Sequence, residues 1–201
     1  MTRFTETMRL LGDALDSVRD DEFEGLKADA LATVAAGGKL IFSGLGKNVP
    51  ICEKVVGTLN SVGIQAAFMH TNSAVHGDLG MVRDGDLIVV LSKSGETCES
   101  VHLVDLLKAQ GRRCSIWLLS FSRESTLYRE VPQRVILELE HEGDAWDILP
   151  NNSTVLNLLV LQHLAMELVQ SLGVALATLH LNHPGGAIGA RLDSARVPGP
   201  R

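Results

Sequence analysis

The sequence predicts an α/β domain: a five-stranded, mostly parallel sheet with helices on both faces. Five short apolar runs alternate with helical stretches, several of a dozen or more residues, as in successive βαβ units. Those runs are nearly continuous in apolar residues, as strands covered on both faces must be. The 201 residues, 45% hydrophobic and 21% charged, are enough for one soluble domain with a substantial core.

Residues 4–37 read as helical, with Leu10, Leu11, Leu15 and Val18, then Leu26, Ala30, Leu31 and Val34, at helical spacing before Gly37-Gly38. KLIFSG (39–44) is the first strand, VPICEKVVGTLNSVG (49–63) a helix and IQAAFMH (64–70) the second strand. DLIVVLS (86–92) is the third strand, ETCESVHLVDLLKAQG (96–111) a helix stopped by Gly111, RCSIWLLS (113–120) the fourth strand and RVILELE (134–140) the fifth. A long helix follows over 151–173, with Asn or Ser available as its cap. The expectation is a single domain over 1–193 and a flexible tail over 194–201.

Composition narrows the partners. The formal net charge is −6 and no Lys/Arg run is present, so the concentrated basic footprint of a nucleic-acid or anionic-membrane partner is missing. The N-terminal stretch mixes acids with its apolar residues, unlike a signal peptide, and no apolar run reaches the length of about 18 residues of a membrane span. Cys52, Cys98 and Cys114 are odd in number and far apart, matching neither a disulfide framework nor a zinc spacing. A cytoplasmic location is expected.

In a parallel sheet, ligands bind beyond the carboxyl ends of the strands, here the loops 43–48, 70–80, 92–97, 120–128 and 140–152. LSKSGET (91–97) leaves a strand and enters a helix, offering the hydroxyls of Ser92, Ser94 and Thr97 and a close turn at Gly95. Hydroxyls, backbone donors and a positive helix end suit a phosphate; Ser94 with Glu96 is also an ordinary helix start, but one cap does not need three hydroxyls. SGLGKNVP (43–50) has neither Walker A spacing nor the third glycine of a dinucleotide fingerprint, and Lys47 reads either as a surface lysine or as a fixed cation at the ligand. MHTNSAVHGDLGMV (69–82) carries His70, His76 and Asp78. One loop supplies too few metal ligands by itself, so His76 reads as a hydrogen-bonding group to a polar ligand. LEHEGDAWDILP (139–150) is acidic, and its place at the carboxyl edge separates it from a merely solvated loop.

The order SGLGK, HGDLG, LSKSGET, a glutamate before Pro150, and NHPGGAIGARL resembles the sugar isomerase (SIS) domain, and more narrowly the D-arabinose 5-phosphate isomerases of the KpsF/GutQ type. The resemblance implies a three-layer sandwich of flavodoxin-like strand order. It assigns catalysis to Lys47, Glu96, Glu142 and His183, and metal contact to His70. Substrate contact falls to Ser43, Gly63, His76, Ser92, Ser94 and Thr97. The chain departs from the family at Asn48-Val49 after the lysine and at Asn151-Asn152 after Pro150. Members commonly carry a paired CBS module, so an isomerase domain without that control is expected here.

The implied reaction interconverts D-arabinose 5-phosphate and D-ribulose 5-phosphate through an enediol and needs no redox cofactor. Ser92, Ser94 and Thr97 would hold the phosphate. Glu142 is the first candidate for the base and Glu96 the second. An ordinary glutamate titrates near ~4.3, and burial is expected to raise it toward neutrality. Lys47 would stabilise the enediolate oxygen and His183 would handle ring or acid–base protons. Because His183 follows the last long helix, it is expected to enter a neighbouring subunit's site, with residues 1–37 and the final helix as interface in a dimer or tetramer. Two other readings stay open: another phosphosugar isomerase, such as one acting on a hexulose phosphate, against which HGDLG stands; and a non-catalytic phosphosugar sensor, in which Lys47, Glu96, Glu142 and His183 would have no task.

Overall fold

The computed structural model describes residues 3–194. Two helices, α1 (Arg3–Asp16) and α2 (Asp20–Ala35), precede β1 (Leu40–Gly44), α3 (Asn48–Ser61) and β2 (Ala66–His70). A single helical turn, α4 (Thr71–Ala74), and a 3-10 turn (Asp78–Met81) lead to β3 (Leu87–Leu91) and α5 (Cys98–Ala109). Then come β4 (Ser115–Ser120), α6 (Thr126–Glu130), β5 (Gln133–Ile136), α7 (Asn152–Ser171), α8 (Leu176–Asn182) and α9 (Gly186–Ser194).

The strands pair in the order β2-β1-β3-β4-β5 and all four ladders are parallel. This is the predicted α/β architecture with its flavodoxin-like order. Alternate strand residues feed two cores, because successive side chains point to opposite faces. Leu40, Phe42, Leu87, Val89 and Leu91 pack with residues of α1, α2, α3 and α7, including Leu26, Val55 and Leu164. Ile41, Ile88 and Val90 pack on the other face with Leu103 and Leu107 of α5 and Leu127 of α6. Burying a side chain of this size stabilises the fold by roughly 1.5–3 kcal/mol, so the run LIVVL in β3, buried at every position, pins the sheet centre.

Three differences from the sequence reading have local causes. The stretch 4–37 is two helices, broken at Ser17–Arg19, where the Ser17 hydroxyl bonds back to the Ala14 carbonyl and receives the Glu138 amide at 2.8 Å. β5 ends at Ile136 rather than 140. Its last residue, Ile136, pairs with Ser120, where β4 ends; on the free edge Glu22 accepts from Ile136 N at 2.9 Å, and beyond the strand Ser17 accepts from Glu138 N. The region beyond Gly173 is not a bare turn, since α8 and α9 flank the His-Pro-Gly-Gly stretch. The predicted tail, apart from Ser194 at the end of α9, lies outside the described residues. No single helix among the described residues is long and apolar enough to cross a membrane.

Candidate functional site

The loop after β3 is held in a shape that local sequence alone cannot impose. The Ser92 hydroxyl receives the Gly95 amide at 3.1 Å and lies 3.2 Å from the Thr97 hydroxyl, while Ser94 receives the Glu96 amide at 3.1 Å. Gly95 has φ +66°, and a Cβ there would meet the Ser125 hydroxyl and Cβ, the nearest atom at 2.1 Å. Both the left-handed backbone and the close approach require glycine. Gly95→Ala is therefore expected to destabilise the protein by about 2 kcal/mol and to weaken anion binding at this loop. Chemical denaturation and sulfate titration of the variant check both effects, and a wild-type denaturation midpoint would contradict the packing argument.

Thr97 occupies the N-cap position of α5 but makes no side-chain cap bond; its hydroxyl stays with Ser92 in the loop. The loop opens on a pocket of about 370 Å³, lined by Lys47 and Asn48 from the β1–α3 turn, Ser92, Lys93, Ser94 and Thr97, and Pro150, Ser153 and Thr154 at the start of α7. The volume lies at the lower end of the range for small-molecule sites. Two lysines, serine and threonine hydroxyls and a helix N-terminus make its chemistry suitable for an anion.

Glu142 lies just beneath this wall, with its side chain fully buried. One carboxylate oxygen accepts from the Asn151 and Ser153 amides, both at 2.9 Å. The other accepts from the Ser153 hydroxyl at 2.5 Å and from Lys93 Nζ at 2.6 Å. Gly143, with φ +90°, lets the chain turn closely over Asn151 and Asn152. The expected cap of α7, Asn or Ser, is thus replaced by a glutamate from the preceding loop. The expected direction of its titration is also overturned. Burial does push the Glu142 pKa up, but Lys93, the Ser153 hydroxyl and the amides of Ser153 and Asn151 together hold it below the ordinary carboxylate value.

Residues 35–166 match the SIS domain family.

The chain belongs to the SIS domain family.

Arabinose 5-phosphate isomerase KdsD of Pseudomonas aeruginosa is 34% identical over 191 residues, covering 92% of this chain and 56% of that protein. An uncharacterised protein of Chlamydia pneumoniae is 37% identical over 156 residues, covering 78% of this chain and 47% of its own length. This SIS domain chain spans about half the length of the curated relatives it matches. Among solved structures, an E. coli CFT073 protein in complex with arabinose 5-phosphate superimposes with a TM-score of 0.82 at 29% identity, covering 90% of this chain and 94% of that one.

The remaining sequence candidates of this SIS domain divide by position. Lys47, Ser92, Ser94 and Thr97 line the pocket. Glu96 is exposed and turned aside: its carboxylate accepts the Thr126 amide at 2.7 Å, which holds its pKa below the usual value and adds to the Ser125 cap of the short α6. Ser43 is buried at the end of β1, 3.1 Å from the Thr71 hydroxyl. His76 is exposed in the turn after α4. His70 ends β2, and its Nδ1 accepts the Asn72 amide at 3.3 Å to cap α4. Among the described residues no group of three or more His, Cys, Asp or Glu is placed to hold a metal ion.

Gly63 lies apart from this pocket. It follows α3 at the amino edge of the sheet, where φ +79° and the Thr178 methyl 2.9 Å from a Cβ explain a glycine structurally. His183 also lies at that edge. It ends α8, its Nδ1 3.3 Å from the Leu179 carbonyl, and neighbouring Asn182 donates to the Ser61 carbonyl at 3.2 Å. The other end of α3, at Asn48, lines the pocket; the 13 rises from Asn48 to Ser61 span about 20 Å. The structure therefore does not bring His183 to Lys47 and Glu142 within one subunit. Gly186, at φ +70°, begins α9, and a Cβ at Gly189 would meet the His183 carbonyl at 2.8 Å. Gly186 and Gly189 thus serve the α8–α9 corner that carries His183.

Sequence reasoning overlooked Lys93, Ser153 and Asn48. Lys93 stood inside the 91–97 loop, but its partner Glu142 lies two strands later in the chain, so no local pattern linked them. Asn48 contacts Asn157 of α7, which donates to its side-chain oxygen at 3.0 Å.

Proposed function

We propose that this SIS domain is an aldose–ketose isomerase acting on a phosphorylated pentose, interconverting D-arabinose 5-phosphate and D-ribulose 5-phosphate. The observation that carries this reading is the anion pocket of Ser92, Ser94, Thr97 and two lysines built directly against the buried Glu142 carboxylate. Similarity to KdsD and to the E. coli protein bound to arabinose 5-phosphate supports the choice of sugar.

The chemistry follows from the groups. The loop and the α5 N-terminus hold the phosphate. Glu142 removes the C2 proton of the open-chain aldose; the C2–H pair becomes the C1–C2 double bond and the carbonyl pair moves to O1. Lys47 stabilises that oxygen and the enediol forms. Return of the proton to C1, with loss of the O2 proton, gives the ketose. His183 enters from a neighbouring subunit to move hydroxyl protons. Exposed Phe4 and Met8 on α1, Val155, Leu159 and Met166 on α7, and Leu181 and Ile188 near the HPGG corner supply apolar surface for that association.

Purified protein given arabinose 5-phosphate in deuterated water is expected to form ribulose 5-phosphate. Pentose phosphates should turn over and hexose phosphates should be poorer. Absence of turnover and of C2 proton exchange across the panel would reject the isomerase reading.

A further inference from the structure

Lys93 is fixed at its backbone and free at its tip. Its carbonyl accepts from the Ser120 hydroxyl at 3.2 Å and the Phe121 amide at 3.1 Å, tying the main chain to the end of β4. Its side chain is 42% exposed and lines the pocket between Ser92 and Ser94. The other donors to the Glu142 carboxylate are two amides at the start of α7 and the buried Ser153 hydroxyl. Lys93 is the one donor on a long, flexible stem, and it reaches the carboxylate from the phosphate loop itself.

A carboxylate with four donors is a poor base, because each stabilises its ionised form. A dianion attracts an ammonium more strongly than a single carboxylate at equal distance. We infer that Lys93 is a positioning residue that couples phosphate binding to the basicity of Glu142: the phosphate held by the Ser92–Thr97 loop draws the ammonium away and leaves one Glu142 oxygen available to the substrate proton. No other charged group described around Glu142 is placed to do this. Asp147 accepts the Glu142 backbone amide at 2.7 Å, with the His141 ring 3.9 Å from it. Asp144 is engaged by the amides of Trp146, Ile148 and Leu149. Lys47 lines the same pocket from the opposite turn.

The catalytic consequence rests on the isomerase reading, but the coupling does not, so the test has one readout without turnover. The Glu142 carboxyl carbon, assigned by its loss in Glu142→Gln, is titrated by NMR in the native protein with and without sulfate, a phosphate-shaped dianion whose charge is constant over this range. Sulfate is expected to move the Glu142 titration upward by about one pH unit, the low end of the influence of an adjacent cation. Lys93→Met is expected to titrate at the higher position already and to show only the smaller, direct repulsion by sulfate, and Lys93→Arg to restore the full response. A wild-type titration unmoved by sulfate, or a Lys93→Met protein that responds as wild type does, overturns the inference. In turnover, the acid limb of kcat, which reports the bound enzyme, should lie above that of kcat/KM, which reports the free enzyme. The two limbs should coincide in Lys93→Met, and equal limbs in the wild type count against the coupling. Failure of every phosphosugar to react rejects the isomerase reading alone, and the sulfate titration still decides the role of Lys93.

Discussion

Replacement of Glu142 by Gln is expected to lower kcat by about 10²–10⁴-fold, the usual contribution of a positioned general base, while binding of phosphosugar stays unchanged or tightens. Binding survives because the Ser92–Thr97 loop does not use Glu142 for its shape; its internal bonds run among Ser92, Ser94, Gly95, Glu96 and Thr97. It can tighten because Lys93, released from the carboxylate, is free for the phosphate. The same substitution removes the charged acceptor that caps α7, at an expected cost of about 1.5–3 kcal/mol, the range for hydrogen bonds to a charged group. Isothermal binding, single-turnover exchange and denaturation separate the three effects. A variant that is destabilised but exchanges the C2 proton at the wild-type rate would show that Glu142 is only a helix cap.

The stability effect carries a pH signature. The folded pKa of Glu142 is held below the unfolded value, so its stabilisation is complete above the ordinary glutamate pKa of about 4.3 and is lost as pH falls from there through the folded value. The gap between wild type and Glu142→Gln should be widest at neutral pH and close under acid. A gap independent of pH would assign the loss to packing rather than to charge.

The second large effect concerns His183. His183→Gln and Glu142→Gln are each expected to be nearly inactive, yet subunits of the two variants, dissociated and reassociated together, should recover about a quarter of wild-type activity. The arithmetic follows from a two-fold dimer with two shared sites. Half of the random pairs are mixed, and each mixed pair has one site with both an intact Glu142 and an intact His183. If His183 served its own subunit, every mixed pair would hold two defective sites and mixing would restore nothing. The separation of the pocket and the α8–α9 corner by the length of α3 is the reason to expect recovery.

Much of this was readable before the fold was known. The strands stood out because both faces of a parallel sheet are buried, which leaves uninterrupted apolar runs such as LIVVL. The 91–97 loop stood out because its hydroxyls and glycine lie within a few residues of one another. Other features were hidden for equally physical reasons. The first amide of α6 is held by Glu96 from a distant loop, beside the local Ser125 cap, and β5 stops at Ile136 because its partner β4 ends at Ser120. Gly63, given to substrate by the family resemblance, sits in a left-handed turn under α8.

The sequence by itself determined the α/β class, the alternation that makes the sheet parallel, and the loop suited to phosphate, because each depends on residues adjacent in the chain. Only the tertiary structure decided the state of Glu142. Its burial alone pushes its pKa up; Lys93, Ser153 and the first amides of α7 together bring it below the ordinary carboxylate value. Electrostatic free energy sums over charges and dipoles within a few ångströms, whatever their distance along the chain, and that neighbourhood exists only once β3 and the start of α7 have come together.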